Sequence, residues 1–550
     1  MTSAAGYKAL REKVGLRESD LTLTVNTDGS PLFESSKTSV WPVQFVINEL
    51  PPRKRFSNCT LAGLWCSKSH PDMSVFLSEF VTEVNSMEPV LWEEDGCKPS
   101  SRSFVLCCAV DAPARAAVLN MKQHNGYSSC TWCLITCSYV DNCVRYISSQ
   151  PVEQRTSELL VRDGELSLEL DTDINGVKGP TPMMYLPGFD LVRGCSVEYM
   201  HSVLLGVARQ LNDHLFGSSH SVERYYIGSR AHMSKINGLL LWIKPPHCIT
   251  RLPRSLTDRV HWKASELRNW LLYYSLPCTV DILPREYWRH LAKLSEAVHI
   301  LLREEIAEED ISHADEHLDT FVRRCVPLYG KSFMTFNVHA LLHFAESVRF
   351  LGPLWAHSAF VFEGGNGKLV NLVSAAKGAP QQITERVIMH HLELETVLAV
   401  GSLRAEEMAA CERLLGCTRL QNAFYDGNVC MLGHSHTGRL SSTELDAIER
   451  FLNCKPASIM EHDRFIFGTQ VFHSSSYSRP SKSDSTVFVS SGGAYYKIEK
   501  VVKVCTGASP KCLLVCRSIV VCVSSCVYPP HIKSAFSPSV KKYIFYNLRA

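Results

Sequence analysis

Two pairs of metal-binding residues and three acids are the groups in this 550-residue sequence whose types and spacing suit chemistry. Cys130 and Cys133 form a C-x-x-C pair 19 residues after Asp111. His339 and His343 form an H-x-x-x-H pair ending 20 residues before Glu363. A two-residue gap lets both sulfurs reach one metal, and a four-residue step on a helix projects both imidazoles from one face. Together they make a closed Cys2His2 set suited to structural zinc. Each pair alone also has a plainer reading: chance spacing among 22 cysteines, or two histidines on a polar helix face.

The acids suit different chemistry. Phosphodiester cleavage with paired Mg2+ needs two or three carboxylates holding the ions about 3.5–4 Å apart, and hard Mg2+ prefers such oxygen donors. Asp28, Asp111 and Glu363 are the candidates, and each has a bland alternative. Asp28 precedes Gly29 and reads equally as a turn aspartate. Asp111 precedes Ala-Pro and reads as a helix N-cap. Glu363 follows FVF, where a solvated helix-face glutamate is the default; two glycines follow it, so either the backbone approaches something closely or the helix is weak. Glu198 is the runner-up third acid, without a tether to the histidine pair.

Elements that would position these groups follow from the pattern. LTLTVNTD (21–28) alternates and ends on an Asp-Gly turn; VWPVQFVI (40–47) and CTLAGLWC (59–66) are further strands. Residues 72–86 have helical spacing with Asp72 as N-cap. SFVLCCAVD, ending on Asp111, is an unbroken apolar run suited to a strand buried on both faces, and Pro113 opens a helix. Three strands, a helix, a strand and a helix is the order of an RNase H-like core, in which the first and fourth strands lie side by side. The expected fold is therefore α/β: an RNase H-like core, a mixed sheet flanked by helices, interrupted by a large α-helical insertion and followed by a small C-terminal β-rich domain. The boundaries are 1–150 for the first part of the core with the cysteine pair, and 151–335 for the insertion. Residues 336–400 would carry the histidine pair and the Glu363 helix, with Asn337 capping a helix that Gly352 ends. Residues 401–460 would be a helical connector and 461–550 the β-rich domain.

Bulk properties set looser bounds. A net charge of +2 advertises no global basic field, so any DNA contact would rest on local patches. There is no apolar N-terminal signal region, and the apolar stretch CLLVCRSIVVCVSSCVY is broken by Arg517 and serines, so a reduced, intracellular protein without a membrane span is expected. PPRKRF (51–56) reads as a nuclear localisation signal or, within a strand-rich region, a surface loop. The absence of G-x-x-x-x-G-K-[ST] and G-x-S-x-G motifs argues against ATP-driven and serine-hydrolase functions.

Several ordered segments resemble transposases of the CACTA (En/Spm) superfamily: DGSP (28–31), VWPVQFVINELPP (40–52), AVDAPARAAVLNMKQHNGYSSCTWC (109–133), LPGFDLVRGCSVEYMHSVLLGV (186–207) and NVHALLHFAESVRFLGPLWAHSAFVFE (337–363). The resemblance spans roughly residues 20–400. That superfamily is similar in layout to Transib transposases and the catalytic subunit of the V(D)J recombinase. The resemblance implies an Asp-Asp-Glu triad at Asp28, Asp111 and Glu363 binding Mg2+ (or Mn2+), and Zn2+ on Cys130, Cys133, His339 and His343. It also implies a Met-His dipeptide matched by Met200-His201, DNA partners (transposon ends and target DNA), possible homo-oligomers and a nuclear location. Two departures point to a domesticated, catalytically silent DNA- or protein-binding copy as the alternative. Only 27 residues precede Asp28, so an N-terminal DNA-binding module is expected to be missing, and Gly364-Gly365 replace the bulkier helix formers expected there.

Overall fold

The structure is a computed structural model that describes residues 1–33, 38–93, 98–147, 152–375, 377–399, 422–437, 440–468, 470–479, 482–506, 510–522, 529, 534–536 and 543–547. The protein is mixed α/β, and it divides into two compact units: residues 1–229 with 263–398, and residues 230–262 with 399–550. Among the described residues no helix is long and apolar enough to cross a membrane.

The sheet of the first unit holds four long strands. Leu21–Thr27 and Ser39–Ile47 pair antiparallel (Leu23 opposite Ile47), Ser39–Ile47 and Thr60–Ser67 pair antiparallel (Trp41 opposite Trp65), and Leu21–Thr27 pairs parallel with Ser103–Cys108 (Leu21 opposite Ser103). Their order across the sheet is third, second, first, fourth. A parallel pair needs a long return path, and the chain returns through the helix Met73–Ser86, whose start Asp72 caps by accepting from the Ser74 and Val75 amides. Even and odd positions bury against opposite layers, as a two-residue period requires. Trp41 and Val43 pack with Phe76 of that helix. Val46, Phe104 and Leu106 pack on the other face with Leu10, Phe350, Leu351 and Phe362.

This topology has a direct consequence for the acids. Because the first and fourth strands run the same way, their C-terminal ends share one edge of the sheet. Asp28 directly follows the first strand, and Asp111 lies three residues beyond the fourth. The two strand ends are tied where Asn26 Nδ2 donates to the Ala109 carbonyl at 2.6 Å.

Between Asp111 and Glu363 the described chain is largely helical. It includes a π-helical stretch Met200–Ala208 running into Arg209–Phe216, and the pair Arg285–Leu301 and Glu308–Tyr329. Residues 230–262 belong with the second unit: the His247 amide donates to Ser485 Oγ at 2.9 Å, and the Asp484 amide donates to the Pro245 carbonyl. Asn337 does not cap. The helix starts one residue earlier, at Phe336, and the Asn337 side chain lies so close over Gly206 that a Cβ there would sit 2.5 Å from its Nδ2. The run from Phe336 to Leu351 is also not one helix, but two joined by a 3-10 turn, Leu341–His343, and Gly352 (φ 89°) ends the second as expected. PPRKRF forms a short helix, Pro52–Ser57, rather than a loop, and Arg55 is buried with Nη2 donating to the Asn48 and Leu50 carbonyls.

In the second unit, Ala423–Asp426 and Val429–Leu432 form a hairpin extended by Arg464–Phe467 and Gln470–His473. Tyr495–Cys505 and Lys511–Cys522 form a long antiparallel pair, and Ser458–His462 adds to it. Met431, Phe465, Ile498, Val501, Leu514 and Cys516 share its core. Residues 401–421 and 438–439 of the expected helical connector lie outside the described residues. The remainder is a β-hairpin, allowed by Gly427 at φ 58°, and the helix Ser442–Leu452.

Candidate active site and metal centre

Cys130 and Cys133 come from the loop after the helix Ala112–Val118. His339 lies at the end of Phe336–Ala340 and His343 closes the 3-10 turn. The four are buried, and their ligand atoms all lie within 4.8 Å of one another. Cys130 Sγ is 3.4 Å from His343 Nε2, Cys133 Sγ is 3.3 Å from His339 Nε2, and the two Nε2 atoms are 3.3 Å apart. Zn–S bonds of about 2.3 Å and Zn–N bonds of about 2.0–2.1 Å at tetrahedral angles separate ligands by about 3.3–3.6 Å. The donor set and its spacing therefore fit zinc.

Surrounding groups hold this geometry. Tyr146 stacks on His339 at a centroid distance of 5.3 Å, and Trp132 lies tilted over His343 at 5.6 Å. The buried Arg155 donates to the carbonyls of Cys130 (2.8 Å), Cys133 (3.2 Å), Ser128 (3.0 Å) and Asn175 (2.6 Å), which fixes the cysteine loop from behind. Burial opposes charging of the Cys130 thiol, yet its hydrogen bond with Cys133 and the facing His343 and His339 imidazoles hold it well below the ordinary thiol range. Cys133 is pushed far up by that same hydrogen bond, by burial and by the Cys130 charge. Burial lowers His343, which favours the neutral ring that a metal ligand needs. A dication would relieve the pair by replacing the remaining thiol proton.

The carboxylates lie apart from this group. One oxygen each of Asp28 and Glu363 and a ring nitrogen of His201 lie within 4.8 Å of one another. Asp111 caps the helix Ala112–Val118, its Oδ1 accepting from the Ala114 amide at 2.7 Å, so the capping reading holds; it still lies close enough for its charge to act on Asp28. Burial, then the charges of Asp111 and Glu363, push the Asp28 carboxyl up to about 7, against the pull of His201 and the Gly29 amide. Like charges gathered at one spot, only partly offset by His201, are a deficit that a cation relieves. The hard oxygen donors match Mg2+ or Mn2+.

His201 and Glu198 were each visible in the sequence, but their roles were not. Glu198 is buried and its oxygens are fully engaged. They accept from the Met200 and His201 amides (2.9 and 2.8 Å), from His201 Nδ1 (2.9 Å), and from Ser358 Oγ and the Ala359 amide (both 3.0 Å). Glu198 is thus no third metal-binding acid. It joins the π-helical stretch to the start of the helix Phe360–Asn371 that carries Glu363. His201 Nε2 faces Glu363 Oε1 at 3.6 Å. Burial opposes its protonation, but the bonds to Glu198 and Glu363 raise it to about 10, so without a metal ion it stands as an imidazolium among the acids. Glu198 on Nδ1 orients the ring so that Nε2 turns toward the acids and carries its proton beside Glu363. The Glu-x-x-His spacing, one helical turn, was the signal available for this pair.

The glycines after Glu363 separate into two cases. A Cβ on Gly365 would lie 2.0 Å from Gln44 Oε1, and Gln44 also bonds Asn366 in the buried helix–sheet contact, whereas Gly364 faces open space. Gly364→Ala is expected to stabilise the protein by about 0.5–1 kcal/mol, since helical Gly costs about that much relative to Ala. Gly365→Ala should destabilise it by about 1–3 kcal/mol through overpacking. Denaturant melts of the two variants check the opposite signs; the same sign for both would contradict this packing.

What fold and site define is a mixed α/β protein with a buried Cys2His2 group and a separate carboxylate–imidazole cluster at the end of a parallel strand pair. Compared with known proteins, the chain matches no family model, and no curated protein matches it.

Proposed function

We propose that this chain is a transposase or a transposon-derived protein, with an RNase H-like core interrupted by a helical insertion, that cuts and joins DNA strands in the nucleus. The observation that carries the reading is the convergence at one sheet edge. Asp28 and Asp111 follow the parallel first and fourth strands, and Glu363 reaches Asp28 and His201 from 252 residues further along the chain than Asp111. The Cys2His2 group supports it, because it links the loop after Asp111 to the segment leading to the Glu363 helix.

Asp28, Asp111 and Glu363 would hold the ions. Bound Mg2+ at such a site activates an attacking oxygen and stabilises the leaving one. Glu198 fixes His201 and the start of the Glu363 helix, and His201 balances negative charge beside Glu363. In cleavage, water attacks the scissile phosphorus and the 3′-oxygen leaves; in joining, the freed 3′-hydroxyl attacks a target phosphorus and displaces the target strand's own 3′-oxygen, which leaves as a 3′-hydroxyl. DNA ends and target DNA are the proposed partners, with pairing of two ends by a homo-oligomer.

The test is Mg2+-dependent cleavage of terminal-inverted-repeat DNA by the wild type and by Asp111→Asn. Wild-type cleavage with a loss of at least about 10³-fold in the variant is expected, the scale of several kcal/mol of metal-assisted stabilisation. Equal activity removes Asp111 from the chemistry. DNA binding without cleavage in the wild type would favour the silent, domesticated form.

A further inference from the structure

We propose that Glu296, His313 and His317 form a second transition-metal site, separate from both the Cys2His2 group and the carboxylate cluster. His313 and His317 stand one turn apart on the helix Glu308–Tyr329, so both rings leave the same face. Glu296 comes from the neighbouring helix Arg285–Leu301, and the three ligand atoms lie within 4.8 Å of one another.

The contacts lie within ion-pair distance, and the three groups also converge on one point. Each imidazole addresses a different oxygen of the one carboxylate: His313 Nε2 is 3.6 Å from Oε1 and His317 Nε2 is 3.3 Å from Oε2. A charge-assisted N–H···O bond is about 2.7–2.9 Å long, so both contacts are longer than the usual bond while still close enough to hold Glu296 below the ordinary carboxylate range. They match the about 3.3–3.6 Å between ligands that share one tetrahedral ion through bonds of about 2.0–2.2 Å. The two rings lie with centroids 4.2 Å apart, and one nitrogen of each lies within 4.8 Å of the other and of a Glu296 oxygen.

The donors select the ion. Two imidazoles and one carboxylate favour Zn2+, Cu2+, Ni2+ or Co2+, and imidazole is a poor ligand for Mg2+ or Ca2+. Three protein ligands leave the fourth position open, and His313, with its side chain 49% exposed, lies on the solvent side of the group. Water would complete the set there, so a bound ion would exchange more readily than one enclosed by the buried Cys2His2 group. A metal here clamps Arg285–Leu301 to Glu308–Tyr329. This site does not depend on the proposed DNA chemistry.

The experiment uses the full, tag-free chain with its cysteine site filled by Zn2+, in excess Mg2+ to fill the carboxylates, titrated with Co2+ as the probe. The wild type should take up one further equivalent, with visible d–d absorption and no thiolate charge-transfer band. His313→Ala/His317→Ala should weaken that uptake at least 100-fold, and Glu296→Gln about 10-fold or more. His313→Ala alone repeats the comparison at a half-exposed position, should the double variant misfold. Co2+ uptake that is the same in the wild type and in His313→Ala overturns the site, as does a wild type that takes up no further equivalent.

Discussion

Cys130→Ser protein should be purified with its zinc lost and should melt far below the wild type, with a destabilisation of at least about 4 kcal/mol. Zinc binding contributes about 10–16 kcal/mol of apparent folding energy in isolated zinc-finger peptides. The first unit has its own apolar core around Val46, Phe104, Phe350 and Phe362, so only part of such an energy is at stake here. What the substitution leaves behind adds to the cost. Cys133, His339 and His343 remain buried and face one another without the ion, and buried polar groups that lose their partner cost about 1–3 kcal/mol each. Cys137→Ser is the control. Cys137 is also buried nearby but is not in the ligand group, and it should keep its zinc with a far smaller drop in melting temperature. Metal analysis and calorimetric melting with and without added Zn2+ decide the matter. Full zinc content in Cys130→Ser would falsify the ligand assignment.

The sequence was most legible where chemistry is local. The strand runs at 21–28 and 40–47, the Asp72 cap, and Pro113 at the first turn after Asp111 correspond to elements found within a residue or two. The C-x-x-C and H-x-x-x-H spacings were equally local, and their four residues meet in one buried group. What escaped were choices made by distant partners. Asn337 carries a good capping side chain, yet the helix begins one residue earlier, after Thr335, and the Asn337 side chain lies against Gly206 instead. Residues 230–262 lie inside the helical stretch by sequence, but their hydrogen bonds reach residues 484 and 485 of the second unit. Glu198 has a carboxylate like the other candidates, and only its contacts with Ser358, Ala359 and His201 mark it as a support rather than a metal-binding group. Gly365 likewise takes its meaning from Gln44 on a strand more than three hundred residues earlier.

Asp28→Asn is expected to make the Mg2+-free protein more stable while removing cleavage. In the fold the Asp28 carboxyl is pushed up to about 7 by burial first, then by Asp111 and Glu363, whereas an unfolded aspartate titrates near 3.9. Between these values the native state holds a proton that the unfolded chain has released. The Asp28 contribution to wild-type stability should therefore fall as pH rises from about 4 to about 7, by at most about 1.4 kcal/mol per pH unit, and level off above, where the raised His201 continues the decline. The asparagine carries no charge and should lose this slope, ending about 1–3 kcal/mol more stable at pH 8 once solvent screening of a half-buried group is allowed for. Added Mg2+ should stabilise the wild type and do little for the variant, since a ligand raises stability only where the native state binds it. Cleavage should drop at least about 10³-fold, because an amide oxygen is a weaker donor to Mg2+ and no longer offsets its charge. Denaturant melts across pH 4–8 in Mg2+-free buffer, paired with cleavage assays, separate the two effects. A variant less stable than the wild type at pH 8 would contradict the clustering of like charge, and unchanged cleavage would remove Asp28 from the site. Gain of stability together with loss of activity is the signature of a residue kept against the interest of the fold because a cation is meant to sit beside it.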